Sequence, residues 1–475
     1  MGALDRLRAT LHRMTAPAPM ERGIEAASWG NRFGGNPTVP RVGAATLGAG
    51  GTVRDRARHV TLNDPLAANA LSIYQTSIVG SGVSLASGHS DAGVRREIDD
   101  AFRSWSERND FAAHQSGAVQ TLVRDGEHVE IMGIGDDGNL SLQPVPAELL
   151  DASLTRELGN GRYIAGGVEF DGRNRPIGYH ISPQRPTDLF AGYAPPVRFD
   201  RASVLHVFRS HGPDQSRGLS WFAPVLLGLH ELGQTLDALG VTAKIQAMLT
   251  AFLVDQNGTA MGNPFGDGQQ AGDLLNVSLE PGTVRVLPSG WDVRFSTPQQ
   301  MAQSIEFAAL SIRTLAAGLQ IPEFLFSGDM RGANYSSMRS ALVQFRTHVE
   351  TIQYITLIPN YHARIFRRWL TLAVLSGTLD FADFEANRDD YFRCEWYPPA
   401  FPWVDPEKDI RAEALAVENG FKSRRQVVAE RGYDIERLDA EIAADRAREQ
   451  SMGITFGATK PAKPETPPPE DKSNG

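Results

Sequence analysis

The spacing of apolar residues changes near position 221, and that change organises the chain. From about 55 to 210, short helical and strand-like periods alternate. "DPLAANALSIYQTSIVG" has helical spacing and stops at Gly80, a residue type suited to a helix C-terminus. "AVQTLVRDGEHVEIMGIGDDGNLSLQPV" reads as strands broken by Asp-Gly turns at 125–126 and 137–138. "GGVEFDGRNRPIGYHI" reads as strand, turn and strand.

From 221 long helices take over. Val225, Leu229, Leu232, Leu236 and Leu239 make a 4-3-4-3 stripe on a helix of roughly 45 Å. Gly228, Gly233 and Gly240 along it tolerate close helix neighbours and weaken a lone helix. Residues 255–297 form an insert: a loop-like "QNGTAMGNPFGDGQQAG", then a hairpin in "GTVRVLPSGWDVRFS". The next helix starts with Thr297 as cap, Pro298 at its first turn and Gln300 as capping-box acceptor. It carries Met301, Ile305, Ala308, Ile312 and Leu315 on one face. A third helical pattern covers about 336–376, with Pro359 predicting a kink or break near 355–359. Residues 4–14 read as a short basic helix, 15–52 as a loose arm and the last 24 residues as a tail with too little apolar surface to order.

Composition narrows the class. At 475 residues, two to four domains are expected, and 41% hydrophobic with 22% charged residues is ordinary for a folded protein. The formal charge of −9 lacks the basic footprint of tight duplex binders. Residues 405–450 hold 12 acidic against 9 basic residues and read as two or three solvated helices. One cysteine, Cys394, excludes an intrachain disulfide or multi-cysteine zinc site and reads as structural. No apolar run approaches the ~20 residues of a membrane span, and "MGALDRLRATLHRM" has no signal-peptide core and no myristoylation pattern. A protein retained inside the producing cell is expected.

Candidate chemistry is mostly excluded. "GFKS" at 420–423 lacks the first glycine of a P-loop, and no full dinucleotide fingerprint follows a strand. His128 and Glu130 share a strand face and resemble the start of a zinc-deaminase motif, but one cysteine cannot complete it. Most suggestive is "SGDMRGANYSSMRSALVQF", residues 327–345. Ser336 or Ser337 as nucleophile would find only His348 as a base, three turns along the same helix. The stronger reading has Gly328 and Gly332 making a turn and Asn334 or Ser336 capping the helix. That leaves Asp329, Arg331 and Tyr335 presented on a loop between two helices.

These strings, in this order, resemble one family. "LNDPLAANALSIYQTSIVGSGVSL", "LVRDGEHVEI", "GVEFDGRNRPIGYHI", "VLHVFRSHGPDQSRGLSWFAPVL", "SGDMRGANYSSMRSALVQF" and "YPPAFPWVDPEKDIRAEALAVENGFKSRRQVVAERGYD" together resemble the portal proteins of lambda-type tailed bacteriophages, over about 50–450. The resemblance implies an α+β portal fold assembled as a cyclic ring, usually of twelve. The implied parts are an N-terminal arm (1–52), an α/β wing (53–220), stem helices (221–250 and 298–320) and a β-containing clip (251–297). A tunnel loop (321–336), a kinked wing helix and following segment (337–404), a helical crown (405–451) and a tail (452–475) complete them.

The resemblance also implies no catalysis, no cofactor and no metal. It implies a DNA-channel loop at Asp329, Arg331, Asn334 and Tyr335, and a docking surface at Asn257, Phe265, Asp267 and Trp291. The implied partners are identical copies, the terminase ATPase large subunit, scaffold and major capsid protein, and head-completion or tail connector proteins. Double-stranded DNA would pass weakly and without sequence preference; a membrane would not be involved. Assembly in the bacterial cytoplasm and residence at the capsid's portal vertex follow. Two alternatives compete: a minor head or scaffold interaction protein without a ring, and a phage hydrolase or nuclease. The hydrolase would use Asp329, Ser336 and His348, whereas a nuclease needs clustered carboxylates, and Asp99, Asp100, Asp380, Asp383 and Glu385 are scattered.

Overall fold

The structure is a computed structural model that describes residues 41–183, 195–248, 252–255, 291–294, 299–332, 334–401 and 405–454. Two helices open it, α1 (Val42–Asn63) and α2 (Pro65–Ile78). Asp64 caps α2 by accepting from the Ala67 amide, Pro65 fills the first helical position, and Gly80 turns the chain out at φ +46°. The loose arm expected over 15–52 is thus helical from Val42. Small residues hide the signal: Ala45, Ala49, Val53 and Ala57 form a buried stripe at four-residue spacing in a Gly-rich stretch.

Strand β1 (Ser84–Ser87), helix α3 (Ala92–Arg108) and helix α4 (Phe111–Arg124) follow. The second corrects the expectation of strand for "AVQTLVR". Ala118, Val119, Leu122 and Val123 are all buried, a helical face that a β-rich string disguises. Beyond the Asp125-Gly126 turn come β2 (Glu127–Ile134) and β3 (Leu140–Val145), an antiparallel hairpin with Gly138 at φ +75°.

Strands β4 (Arg156–Gly159), β5 (Arg162–Ala165), β6 (Val168–Phe170), β7 (Pro176–Ile181) and β8 (Val197–Asp200) pair in chain order as a five-stranded antiparallel sheet. The expected 168–181 hairpin is its β6–β7 pair. Strand β9 (Val204–Phe208) returns beside β2 and completes a three-stranded sheet, β3-β2-β9. Val129, Leu150, Tyr179, Ile181 and Val204 form a small core of their own.

Helix α5 (Leu226–Met248) leads to the short pair β10 (Phe252–Asp255) and β11 (Trp291–Arg294), and α6 (Gln299–Gly318) returns. The predicted cap at Thr297 and Pro298 lies outside the described residues, as do residues 256–290. After α7 (Glu323–Ser327), helix α8 (Tyr335–Thr351) runs into a π-helical segment, Ile352–His362, and on into α9 (Ala363–Leu375). Pro359 therefore does not break the helix. Proline has no N–H and its ring clashes with the carbonyl four residues back, and widening to π turns relieves both.

Then come α10 (Arg388–Tyr391), β12 (Cys394–Tyr397) paired antiparallel with β1, and three helices, α11 (Pro406–Glu418), α12 (Arg424–Ala429) and α13 (Ile435–Met452). No residue of α11 or α13 is buried, as the charge count predicts. The main core gathers Trp105, Phe111, Phe366 and Trp369 under the long helix, with Phe102 edge-on to Trp369 at 4.9 Å.

Candidate functional site

The loop between α7 and α8 follows from local chemistry. Gly328 ends α7 in the left-handed region at φ +73°, with no atom near enough to fill a Cβ. Asn334 caps α8: its side-chain oxygen accepts from the Ser337 amide at 2.9 Å. Between them Asp329 and Arg331 close on each other. The Arg331 guanidinium donates from Nε to Oδ1 at 3.0 Å and from Nη2 to Oδ2 at 2.8 Å, and its backbone amide adds a third bond to Oδ1. The paired Arg331 holds the Asp329 carboxyl down to about 2, and Asp329 raises Arg331 in turn. Arg331 remains 91% exposed. Tyr335 points its hydroxyl toward Asp405, at 3.5 Å, at the start of α11. All four predicted loop residues thus sit together.

The same geometry removes the hydrolase reading. Ser337 donates its hydroxyl to the Asn334 carbonyl at 3.0 Å. His348 lies beside Tyr74, ring centroids 6.4 Å apart, and burial together with Arg209 lowers its basicity. Ser336 and His348 are twelve residues apart on one helix, roughly 18 Å along the axis. Four of the five nuclease carboxylates are engaged separately. Asp99 accepts from the Ser87 amide, Asp100 pairs with Arg103, Asp383 accepts from Tyr391 and Glu385 pairs with Arg388. Among the described residues no group of three His, Cys, Asp or Glu side chains could hold a metal. Ser423, in the P-loop-like string, is the cap of a capping box with Gln426. Cys394 is raised to about 11, chiefly by burial, so its thiol is not activated. Of the docking residues, Trp291 begins β11, and Asn257, Phe265 and Asp267 lie outside the described residues.

Strand β2 carries two buried carboxylates, Glu130, already noted beside His128 in the sequence, and Glu127, which sequence reasoning missed. Glu127 accepts from Arg217 Nε at 3.0 Å, from His206 Nε2 at 3.0 Å and from the Gly218 amide at 2.9 Å. Arg217 also donates to the carbonyls of Ala147, Leu150 and Gly166. Burial pushes Glu127 up, but Arg217 and His206 outweigh it and hold the carboxylate ionised. Gly218 and Gly126 are required by the approach of the two segments: a Cβ on Gly218 would lie 2.1 Å from the Gly126 carbonyl oxygen. Glu130, two residues on, accepts from His114 at 2.6 Å and faces His128 at 3.4 Å. These bonds prevail over burial and hold Glu130 at about 2, while Glu130 raises His114. "EHVE" shows the acids, but nothing in the string points to an arginine 90 positions away.

Residues 30–353 match the family described as phage portal protein, lambda family. The chain belongs to that family. A probable portal protein of Halomonas phage phiHAP-1 is 27% identical over 427 residues, covering 85% of this chain and 81% of that one. Portal protein B of Escherichia phage lambda is 21% identical, covering 90% of each. Among solved structures, the neck of an empty gene transfer agent particle computed with C6 symmetry is similar at 14% identity and a TM-score of 0.43, covering 79% of this chain and 93% of that one. The chain is accordingly a structural component of a phage head–tail connector, not an enzyme.

Proposed function

We propose that copies of this chain close into a ring, twelve being the number its family resemblance implies, and that the ring is the channel for double-stranded DNA. One observation carries this reading. The apolar stripes of α5 and α6 are covered at one end and bare at Leu236 and Ile305, and further apolar residues stand exposed beside them. Val225, Leu229 and Leu232 are buried, as are Ala308 and Leu315, but Leu236 and Val241 are 48% and 53% exposed, and Ile305, Phe307 and Leu310 reach 57–61%. Gly228 meets Leu315 across the helix pair, whereas a Cβ on Gly233 or Gly240 would meet nothing within 4 Å among the described residues. Such faces on paired helices are what neighbouring identical subunits cover.

The α5 and α6 pair would be the stem, 251–297 the clip, 53–220 the wing, and 405–451 the crown. In the bore, the Gly328–Tyr335 loop would offer passing phosphates a cation that its own Asp329 already offsets. DNA then slides where a row of free arginines would hold it through counterion release. Arg331→Ala is expected to lower the fraction of heads that retain packaged DNA and to leave assembly unchanged. Gel analysis of DNA from nuclease-treated heads checks it, and unaltered retention would remove the loop from the channel. The terminase ATPase and later the connector proteins would dock on the clip, while scaffold and capsid protein would surround the wing. Deleting 257–272 should abolish terminase co-sedimentation without changing particle size; retained co-sedimentation would place the docking surface elsewhere.

A further inference from the structure

Where α1, α2 and the two ends of the α5–α6 pair converge, the molecule leaves a cavity of about 730 Å³. Tyr74, Trp221, Leu227 and Leu319 give it apolar walls and Arg209 gives it a cation, while burial and Arg209 lower the basicity of His211, which lines it as a polar group. None of its described lining residues is acidic. The Arg209 guanidinium sits 5.9 Å from the Trp221 ring centroid and makes one long bond, 3.4 Å, to the Gln320 carboxamide oxygen. Among the described residues it has no carboxylate partner. The nearby Asp214 accepts from the Gly43 amide instead.

Two further lining groups are unsatisfied. Thr46 Oγ1 and Trp221 Nε1 are buried without a hydrogen-bond partner among the described residues, the threonine at 2% exposure. Threonines inside helices usually return their hydroxyl to the carbonyl four residues back, as Thr61 does to Ala57 at 2.8 Å. Thr46 does not. A cation over an indole, two unpartnered polar groups and apolar walls fit a peptide with a carboxylate beside an apolar side chain.

The chain carries such a segment next to this cavity. Val42, the first residue of α1, is on the cavity wall, and forty residues precede Arg41. Within those forty, 1–19 hold one acid against three arginines, and 30–40 hold an arginine and no acid. Residues 20–29, "MERGIEAASW", bring two glutamates beside Ile24 and Trp29 with a single arginine. The intervening 30–41 can span up to ~40 Å when extended. So short a tether also gives an effective concentration on the order of millimolar.

We propose that residues 20–29 seat in this cavity of the same chain, a glutamate on Arg209 and an apolar side chain against Trp221 and Leu227. The N-terminal segment would thereby be tied to the root of the helix pair. The proposal holds whether or not the loop at 328–335 faces DNA.

Hydrogen exchange of the full-length chain tests it. Amides of 20–29 are expected to exchange at least ten-fold more slowly in the parent protein than in Arg209→Ala. The Glu21→Gln/Glu25→Gln double variant, which leaves the cavity intact, should lose the same protection. The amides of α2 serve as the control and stay protected in all three. Free exchange of 20–29 in the parent, or protection unchanged in both variants, would overturn the proposal. For the source of the segment, p-benzoylphenylalanine replaces Ile24 in particles assembled from mixed ¹⁵N-labelled and unlabelled chains. Crosslinks to Trp221 or Leu227 within one isotope support the same-chain assignment, and crosslinks between isotopes refute it.

Discussion

Arg217→Met is expected to be among the most destabilising single substitutions in this chain, lowering the melting temperature by roughly 10 °C. Arg217 donates three hydrogen bonds to Glu127, and both side chains are buried. Removing it leaves a buried ionised carboxylate with only His206, the Gly218 amide and Arg54 at 3.9 Å to hold it, a loss of about 3–5 kcal/mol. At roughly 2–4 °C per kcal/mol for a domain of this size, the shift follows. The double variant Glu127→Leu/Arg217→Met should recover only part of the loss. It removes the stranded charge, but the carbonyls of Ala147, Leu150 and Gly166 and the Gly218 amide still lose their partners. Calorimetry on the four members of this cycle measures the coupling directly. A single variant melting within a few degrees of the parent would show that the cluster does not lock the sheets together.

Phe307→Asp combined with Leu310→Asp is expected to abolish oligomers while leaving the subunit folded. Both side chains stand 57% exposed on α6 in the isolated chain, so little intrachain packing is lost. In an assembled stem the same positions would bury two carboxylates against apolar neighbours, each costing several kcal/mol in every interface. Cyclic repetition multiplies that cost around the ring. Mass photometry should show the parent as particles many times the subunit mass and the variant as monomer, with identical circular dichroism. A variant that assembled normally would place the interface on another face.

Much of this architecture was legible from periodicity. The helix pair flanking a β insert, the 168–181 hairpin, the long helix past 336 and the charged C-terminal helices all announce themselves through repeated spacing and turn residues. The loop at 328–335 was legible too, because a glycine exit and an asparagine cap are local signals. What stayed hidden depends on partners distant in the chain. Helix α1 escaped because alanines and glycines carry little hydrophobic contrast, and α4 because valines and leucines there suit either period. The pairing of Asp329 with Arg331 was visible only as two neighbours of opposite charge; the bidentate geometry that offsets the cation needs the turn itself. Glu127 with Arg217, and Glu130 with His114, join residues that only the folded sheet brings within 3 Å.

The central claim is that α5 and α6 are completed sideways by identical copies around an open bore. Cryo-electron microscopy of heads assembled with this chain, reconstructed without imposed symmetry, tests it most directly. A closed ring at a single vertex is expected. Leu236, Phe307 and Leu310 would be covered by the adjacent subunit, and the Asp329–Arg331 loop would line the hole. A solitary subunit, copies spread over many vertices, or those three side chains facing solvent in the assembled particle would contradict it.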